Sequence, residues 1–388
     1  MIHLHNIMRN LFLKILFIVL VQTAATSQNL VLNSDSTKPA VTLESSDEIS
    51  LLFIGDFMGH LDQINAAYNK TLGVYNYNPT FKKIAPILSD ADVTIGNLEV
   101  TLGVRPYSGY PRFSSPVSYA SAIKQSGVDV LVTANNHSCD KRKKGLERTI
   151  AVLDSLNIGH TGTFVSEESK QTSPAYVIEK NNIKVAIVNY TYGTNGILPN
   201  LPNIVNYLEK EKISKDIDHI NSVDKPDQII AFVHWGDQYK SLPNNTQKEW
   251  FEYFKSLGVN IVIGAHPHVL QPMEWQPKTT LNKESLVVYS LGNFVSHQRT
   301  FPRDGGAVLK LSLKKSDNGM EIKSVGYHLT WVYEFRSKGK KHYDILSVKD
   351  FEGDPSYFSR KSDYNKLVRF SKHARELLLK NNINVEEY

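Results

Sequence analysis

Seven short runs that are apolar almost throughout set the terms for this 388-residue chain. They are Ile49–Gly55 (ISLLFIG), Asp92–Asn97, Val128–Ala134, Ile183–Thr191, Gln228–Trp235, Val259–Ala265 and Ser285–Gly292. Each has strand length and shows no clean polar face, so each must be covered on both sides. The stretches between them that read as helical, Thr80–Leu88, Gly145–Leu156, Asn206–Ile220 and Thr246–Leu257, are amphipathic and suited to that covering. Apolar strands alternating with amphipathic helices indicate an α/β fold with sheets shielded by helices. From Gly305 the pattern changes to alternating apolar and polar residues (GGAVLKLSLKK, GMEIKSVGYHL, TWVYEF), which fits antiparallel strands with one wetter face. Beyond Arg336 the chain is basic and polar, with a helix expected around Tyr364–Lys380. The expected organisation is a main domain over 49–335 and a C-terminal appendage over 336–388, with no internal repeat.

The N-terminus reads as an export signal over residues 1–27. Arg9 precedes an apolar core, Leu11–Val21, broken only by Lys14, and the small and polar residues QTAATSQ follow. The core is shorter than the roughly 20 residues of a comfortable membrane span. An uncleaved membrane anchor is the alternative, since Lys14 departs from the cleaved pattern. No cysteine follows the core, so a lipid anchor is not supported. Residues 28–48 are polar and read as a linker, and the folded part is expected outside the cytoplasm. Cys139 is the sole cysteine, which excludes an intrachain disulfide. With 44 basic and 39 acidic residues the net charge is +5, falling to +3 without Arg9 and Lys14, too weak to indicate nucleic acid as a partner.

The placement of polar residues points to a site. Strand after strand ends in a carboxylate, amide or imidazole: Asp56, then Asn97 and Glu99, then Asn135, Asn136, His137 and Asp140. His234 follows Val233, His266 and His268 follow Ala265, and Asn293 follows Gly292. Ligands of α/β proteins gather at the carboxyl ends of strands. Any one of these residues has an ordinary explanation as a turn former, helix cap or packed histidine. Six coincidences at the same strand ends favour a site. Its mixed oxygen and nitrogen donors suit Mn, Zn or Fe. Six candidate ligands exceed the four of a closed structural zinc site. They fit better two divalent ions bridged by a carboxylate, an arrangement that activates water and stabilises a displacement. His137 is placed to act as an acid toward a leaving group. The chain has no G-x-S-x-G elbow and no P-loop.

In their order, the motifs GDFM (Gly55–Met58), GNLE, ANNHSCD, HWGDQY, GAHPHVLQP and YSLGNF resemble the CapA family of capsule and poly-γ-glutamate synthesis proteins, relatives of calcineurin-like metallophosphoesterases. The resemblance spans about Leu51 to Phe294 and implies a four-layer α/β/β/α metallophosphoesterase-like sandwich. It further implies Asp56, Asn136, His234, His266 and His268 as metal ligands, with His137 as the catalytic acid. Met58 stands where the phosphoesterase pattern has histidine, and His60 lies at the wrong spacing to replace it. Asn97 stands where the bridging aspartate would be, so Glu99 is expected as the bridge and Asn97 as its support. Gln238 and Arg142 also depart from the family pattern. Asn135, Asp140 and Asn293 are expected behind the ligands or against substrate. Arg112 and the run KRKK (Lys141–Lys144) are candidates for anion contact, although KRKK also suits a solvated helix start.

Three functions are open on this reading. The first is an exported component of capsule or poly-γ-glutamate synthesis and export that acts on the polymer with or without hydrolysis, with a membrane capsule-synthesis complex as a candidate partner. The second is a secreted two-metal phosphoesterase on small esters or nucleotides. The third is a scaffold that binds an anionic polymer without chemistry.

Overall fold

The computed structural model describes residues 47–280, 283–317 and 319–388. The expected export signal and nearly all of the expected linker lie outside them. The linker's end is a strand instead: β1 begins at Glu48. Along the chain follow β2 (Val93–Leu98), β3 (Val130–Val132), β4 (Gly159–Thr161), β5 (Tyr176–Lys180), β6 (Ile183–Thr191) and β7 (Gln228–His234). Next come β8 (Ile261–Ala265), β9 (Met273–Gln276), β10 (Ser285–Val288), β11 (Asn293–Val295), β12 (Gly305–Ser316), β13 (Gly319–Ser337) and β14 (Lys340–Ser347). The covering helices are α1 (Val117–Gln125), α2 (Arg142–Ser155), α3 (Lys210–Val223), α4 (Asn245–Ser256) and α5 (Lys361–Asn381).

Two sheets result. The first runs β14-β13-β12-β1-β2-β3-β4, with β11 also paired to β1, and the second runs β5-β6-β7-β8-β10-β9. Strands β1 to β4 are parallel to one another, as are β6, β7, β8 and β10. The alternation of side chains sorts the layers. Leu51 and Phe53 of β1 face Ile187, Phe232 and Ile263 of the second sheet in one apolar core, where the Phe53 and Phe232 rings meet edge to face at 6.1 Å. Leu52 and Ile54 turn the other way, onto Tyr119 and Ile123 of α1 and Leu153 of α2. On the far face of the second sheet, Ala231 and Val262 pack with Ile213 and Ile217 of α3 and Phe254 of α4. The order is helix, sheet, sheet, helix, the four-layer α/β/β/α sandwich expected.

Some elements differ from the sequence pattern for local reasons. Thr80–Leu88 breaks into two four-residue helices, Asn78–Phe81 and Ala85–Leu88, each opened by a proline in its first turn, where a missing N–H costs nothing. The run at Ser285 divides: β10 stays in the second sheet, and Gly292, at φ +69°, turns the chain into β11 of the first. The two runs after Gly319 are one 19-residue strand, β13. Strand β14 and helix α5 belong to the body of the protein. Leu367, Phe370, Ala374 and Leu378 of α5 lie in the same core as the inner faces of both sheets.

Candidate metal centre

The parallel register brings the strand ends together. Asp56 is aligned with Asn97 on one side and Asn293 on the other, at an irregularity in β1 that displaces its last residues. His234 is the last residue of β7 and is aligned with Ala265, the last of β8. Past Ala265 the backbone is unusual: His266 and His268 both have positive φ, +102° and +57°, on either side of Pro267. Bulky residues in that region carry strain of order 1–3 kcal/mol, which persists only where the surroundings impose it. Here the N–H of Trp235 donates to the Ala265 carbonyl at 3.1 Å and that of Tyr239 to the Pro267 carbonyl at 2.8 Å. Gly264 allows the approach of the next strand, because a Cβ there would lie 2.1 Å from the Tyr289 carbonyl oxygen.

The imposed turn delivers two side-chain groups that share one residue. Glu99, His234 and His266 offer ligand atoms within 4.8 Å of one another, and so do Asp56, Glu99 and His268. Glu99 Oε1 is 3.7 Å from His234 Nε2 and 3.6 Å from His268 Nε2. His266 Nδ1 lies 3.0 Å from His234 Nε2, and His268 Nδ1 lies 3.0 Å from Asp56 Oδ2. Asn136 Oδ1 is 3.1 Å from His234 Nε2, beside the first group. All six residues are buried.

Glu99 decides what the cluster suits. Its carboxylate is fully buried and neither oxygen has a hydrogen-bond partner. Buried carboxylate oxygens are almost always satisfied, because an unpaired one loses its solvation without return. Burial, reinforced by the charge of Asp56, pushes the Glu99 carboxyl well above its usual range. Burial, reinforced by neighbouring imidazoles, holds His234 and His266 well below theirs, so both rings are neutral and keep a lone pair. Neutral imidazoles around an unsatisfied carboxylate form the donor set a divalent cation requires. The residues present fit a metal.

Asn97 stands behind these groups and holds them. Its amide nitrogen donates to Asp56 Oδ1 at 2.8 Å and lies 3.3 Å from His234 Nδ1. Asn135 in turn donates to the Leu98 carbonyl at 2.8 Å and accepts from the His137 N–H at 3.0 Å. Asn293 Oδ1 is 3.1 Å from His268 Nδ1. His137 is buried beside the cluster, with Nδ1 2.7 Å from Asp140 Oδ2 and the Phe113 ring edge-on at 4.6 Å. Asp140 also accepts the Phe113 N–H, which fixes the pair. Met58 belongs to the apolar core on the helix side of the first sheet, so that position does not supply a ligand.

The anion candidates stand differently. Arg112 is exposed and tied to the site only through its neighbour Phe113; its carbonyl accepts from Ser108. Arg142, Lys143 and Lys144 are exposed at the start of α2, where Lys143 faces Glu147 at 3.8 Å. Two tyrosines that the strand-end pattern does not mark complete the wall. Tyr192 packs on His266 at 4.6 Å between ring centroids, and Tyr239 stacks on His268 at 6.1 Å. Their signal was present as the residues one past Thr191 of β6 and five past His234 of β7, but aromatic residues in loops are too common to single out.

Fold and site together define an α/β/β/α protein with a buried carboxylate–imidazole centre of metal-ligand type at its strand ends. Comparison with known proteins gives the family. Residues 50–298 match the model for the bacterial capsule synthesis protein PGA_cap, and the chain belongs to that family. It is 25% identical to the capsule biosynthesis protein CapA of Bacillus anthracis over 342 residues, 84% of this chain and 73% of that protein. It is 26% identical to the PGA biosynthesis protein CapA of Bacillus subtilis (strain 168) over 310 residues, 75% of this chain and 74% of that protein. Among solved structures, the calcineurin-like phosphoesterase YfkN from Bacillus subtilis aligns with 85% of this chain and 98% of that one, at 13% identity and a TM-score of 0.41.

Proposed function

We propose that this protein is exported and acts on an anionic polymer of the capsule or poly-γ-glutamate type, through a hydrolytic site holding two divalent cations. The observation that carries the reading is Glu99, whose unpartnered carboxylate is shared by both ligand groups. His234 and His266, with Asn136, would hold one ion, and Asp56 with His268 the other. Such ions would supply a water nucleophile at neutral pH and polarise the bond to be cleaved.

The chain's own residues have separate tasks. Asn97 orients Asp56, and Asn293 orients His268. The Asp140 carboxylate beside His137 Nδ1 orients that ring and leaves Nε2 for the departing group, toward which it would act as the acid. The same dyad favours catalysis over a passive scaffold, which has no use for a carboxylate-oriented histidine. No helix among the described residues is long and apolar enough to cross a membrane, so attachment to a membrane complex would fall to the N-terminal apolar segment.

The test is hydrolysis by purified protein, with and without added Mn, of poly-γ-glutamate and of an aryl phosphate, for wild type and His137→Ala. Metal-dependent cleavage lost in His137→Ala is expected. Cleavage of the aryl phosphate alone would favour the small-ester enzyme. Absence of both cleavages, with the polymer still bound, would favour the scaffold.

A further inference from the structure

The loop after β11 carries two arginines four residues apart, each stacked on a different aromatic ring. Arg299 is turned inward over the Trp331 ring, 5.5 Å from its centroid, among the carboxylates of Asp304 and Glu334. Those carboxylates act on it at a distance, and its Nη1 is buried without a hydrogen-bond partner. Arg303 lies over a residue of the site wall instead, with its guanidinium carbon 3.8 Å above the Tyr239 ring. No carboxylate of the described residues lies within 4 Å of its side-chain nitrogens. The acid next to it in sequence, Asp304, faces away and accepts from the Trp331 indole at 2.9 Å.

Arg303 is fixed relative to the centre from two directions. Tyr239 stacks on His268 at 6.1 Å. The two legs, 3.8 and 6.1 Å, place the guanidinium carbon within about 10 Å of the His268 ring centre. On the backbone side, the Arg303 carbonyl accepts from Asn293 Nδ2 at 2.9 Å, and the other amide atom of Asn293 lies 3.1 Å from His268. Tyr239 is itself held at φ +68° by its N–H bond to Pro267. A half-buried cation that lacks an acid, held in place by residues that also hold a candidate ligand, is built to receive an anion. Tyr239 is 42% exposed, so this wall opens to solvent.

We infer that Arg303, stacked on Tyr239, is the substrate-anchoring residue of this site and binds an oxyanion of the substrate, carboxylate or phosphate, next to the group held at the metal centre. The inference rests on the proposed reading of the site but not on turnover. A planar guanidinium bound to an aromatic face offers two parallel N–H donors, which match either oxyanion; an ammonium at the same position would offer charge without the fork. A polymer with an anion on every unit would meet Arg303 one unit away from the centre.

The test measures binding by titration calorimetry with two probes, a short homopolymer of glutamate and inorganic phosphate. The proteins are the purified full chain, Arg303→Gln, Arg303→Lys and Tyr239→Leu, with metal content and circular dichroism confirming that centre and fold persist. Arg303→Gln should weaken at least one probe by about ten- to a hundred-fold, with Arg303→Lys and Tyr239→Leu in between. Wild-type affinity should also fall more steeply with salt than that of Arg303→Gln. Weakening of the glutamate arm alone assigns the anion to a carboxylate, and of the phosphate arm alone to a phosphate. Equal affinity of wild type and Arg303→Gln for both probes overturns the inference, as does a wild type that binds neither. A wild type that binds in this way yet hydrolyses nothing removes the hydrolase reading and leaves the anchor standing.

Discussion

At the scale of single residues, the metal-free centre is a store of unfavourable electrostatics. Glu99 is buried without a partner, and a cation would relieve it. Glu99→Gln should therefore leave the metal-free protein as stable as wild type or more so, and remove the stabilisation that metal confers. At metal concentrations a hundred times the dissociation constant that stabilisation is about 2.7 kcal/mol. Thermal melts of both proteins, with and without Mn, read both effects; an equal rise in melting temperature for both would count against Glu99 as a ligand. His60 gives a pH dependence. Burial pushes its imidazole down to about 4, against a hydrogen bond to Gln63 that pulls the other way. Between the ordinary value of 6.5 and about 4 the unfolded chain takes up a proton that the folded protein refuses. Stability should fall as the pH drops through that window and level off below it, by up to about 3 kcal/mol. Urea midpoints between pH 7 and 4 should show the slope in wild type and a shallower one in His60→Gln.

At the scale of elements, the site is the product of strand ends and the turns that leave them. Gly264 touches no candidate ligand, yet Gly264→Ala would drive a Cβ against the Tyr289 carbonyl. The change should cost about 1–3 kcal/mol and reduce metal binding, because the strained turn bearing His266 and His268 starts from that approach. Metal content and a denaturation curve on the same sample check it; intact metal binding would mean that the turn is set elsewhere. This is also the scale at which the sequence was most legible. Strands apolar on both faces could only be central strands, and their ends located Asp56, Glu99, His234, His266 and His268 before any contact was known. Two kinds of information were missing. Pairing across the sheets is not a local property, so nothing in residues 285–295 told that the chain leaves one sheet for the other at Gly292. Tyr192 and Tyr239 reach the centre through stacking, and Arg303 stacks on Tyr239 in turn, contacts that leave no periodicity to read.

At the scale of the whole molecule, the basic C-terminal region bears on the core. The apolar face of α5 fills the edge of the inter-sheet core, and Arg375 bonds to both Glu352 and Glu387 across it. Ending the chain before Lys361 would expose Leu367, Phe370, Ala374 and Leu378 together with the surface beneath them. At about 2–5 kcal/mol for each large buried side chain, the loss matches the whole stability of an ordinary domain. The truncated protein should be insoluble or unfolded by circular dichroism; a soluble, folded product would show the segment to be dispensable. The basic character that makes the segment look peripheral sits on its outer face, which is why composition alone hides its role.

The central claim is that two ions share Glu99 between His234 with His266 and Asp56 with His268. Its most direct test is the metal content of purified protein by inductively coupled plasma mass spectrometry, for wild type, Glu99→Ala, His266→Ala and His268→Ala. The account predicts two equivalents of divalent metal in wild type, loss of one in each histidine variant and loss of both in Glu99→Ala. Metal content unchanged across all three variants would contradict it.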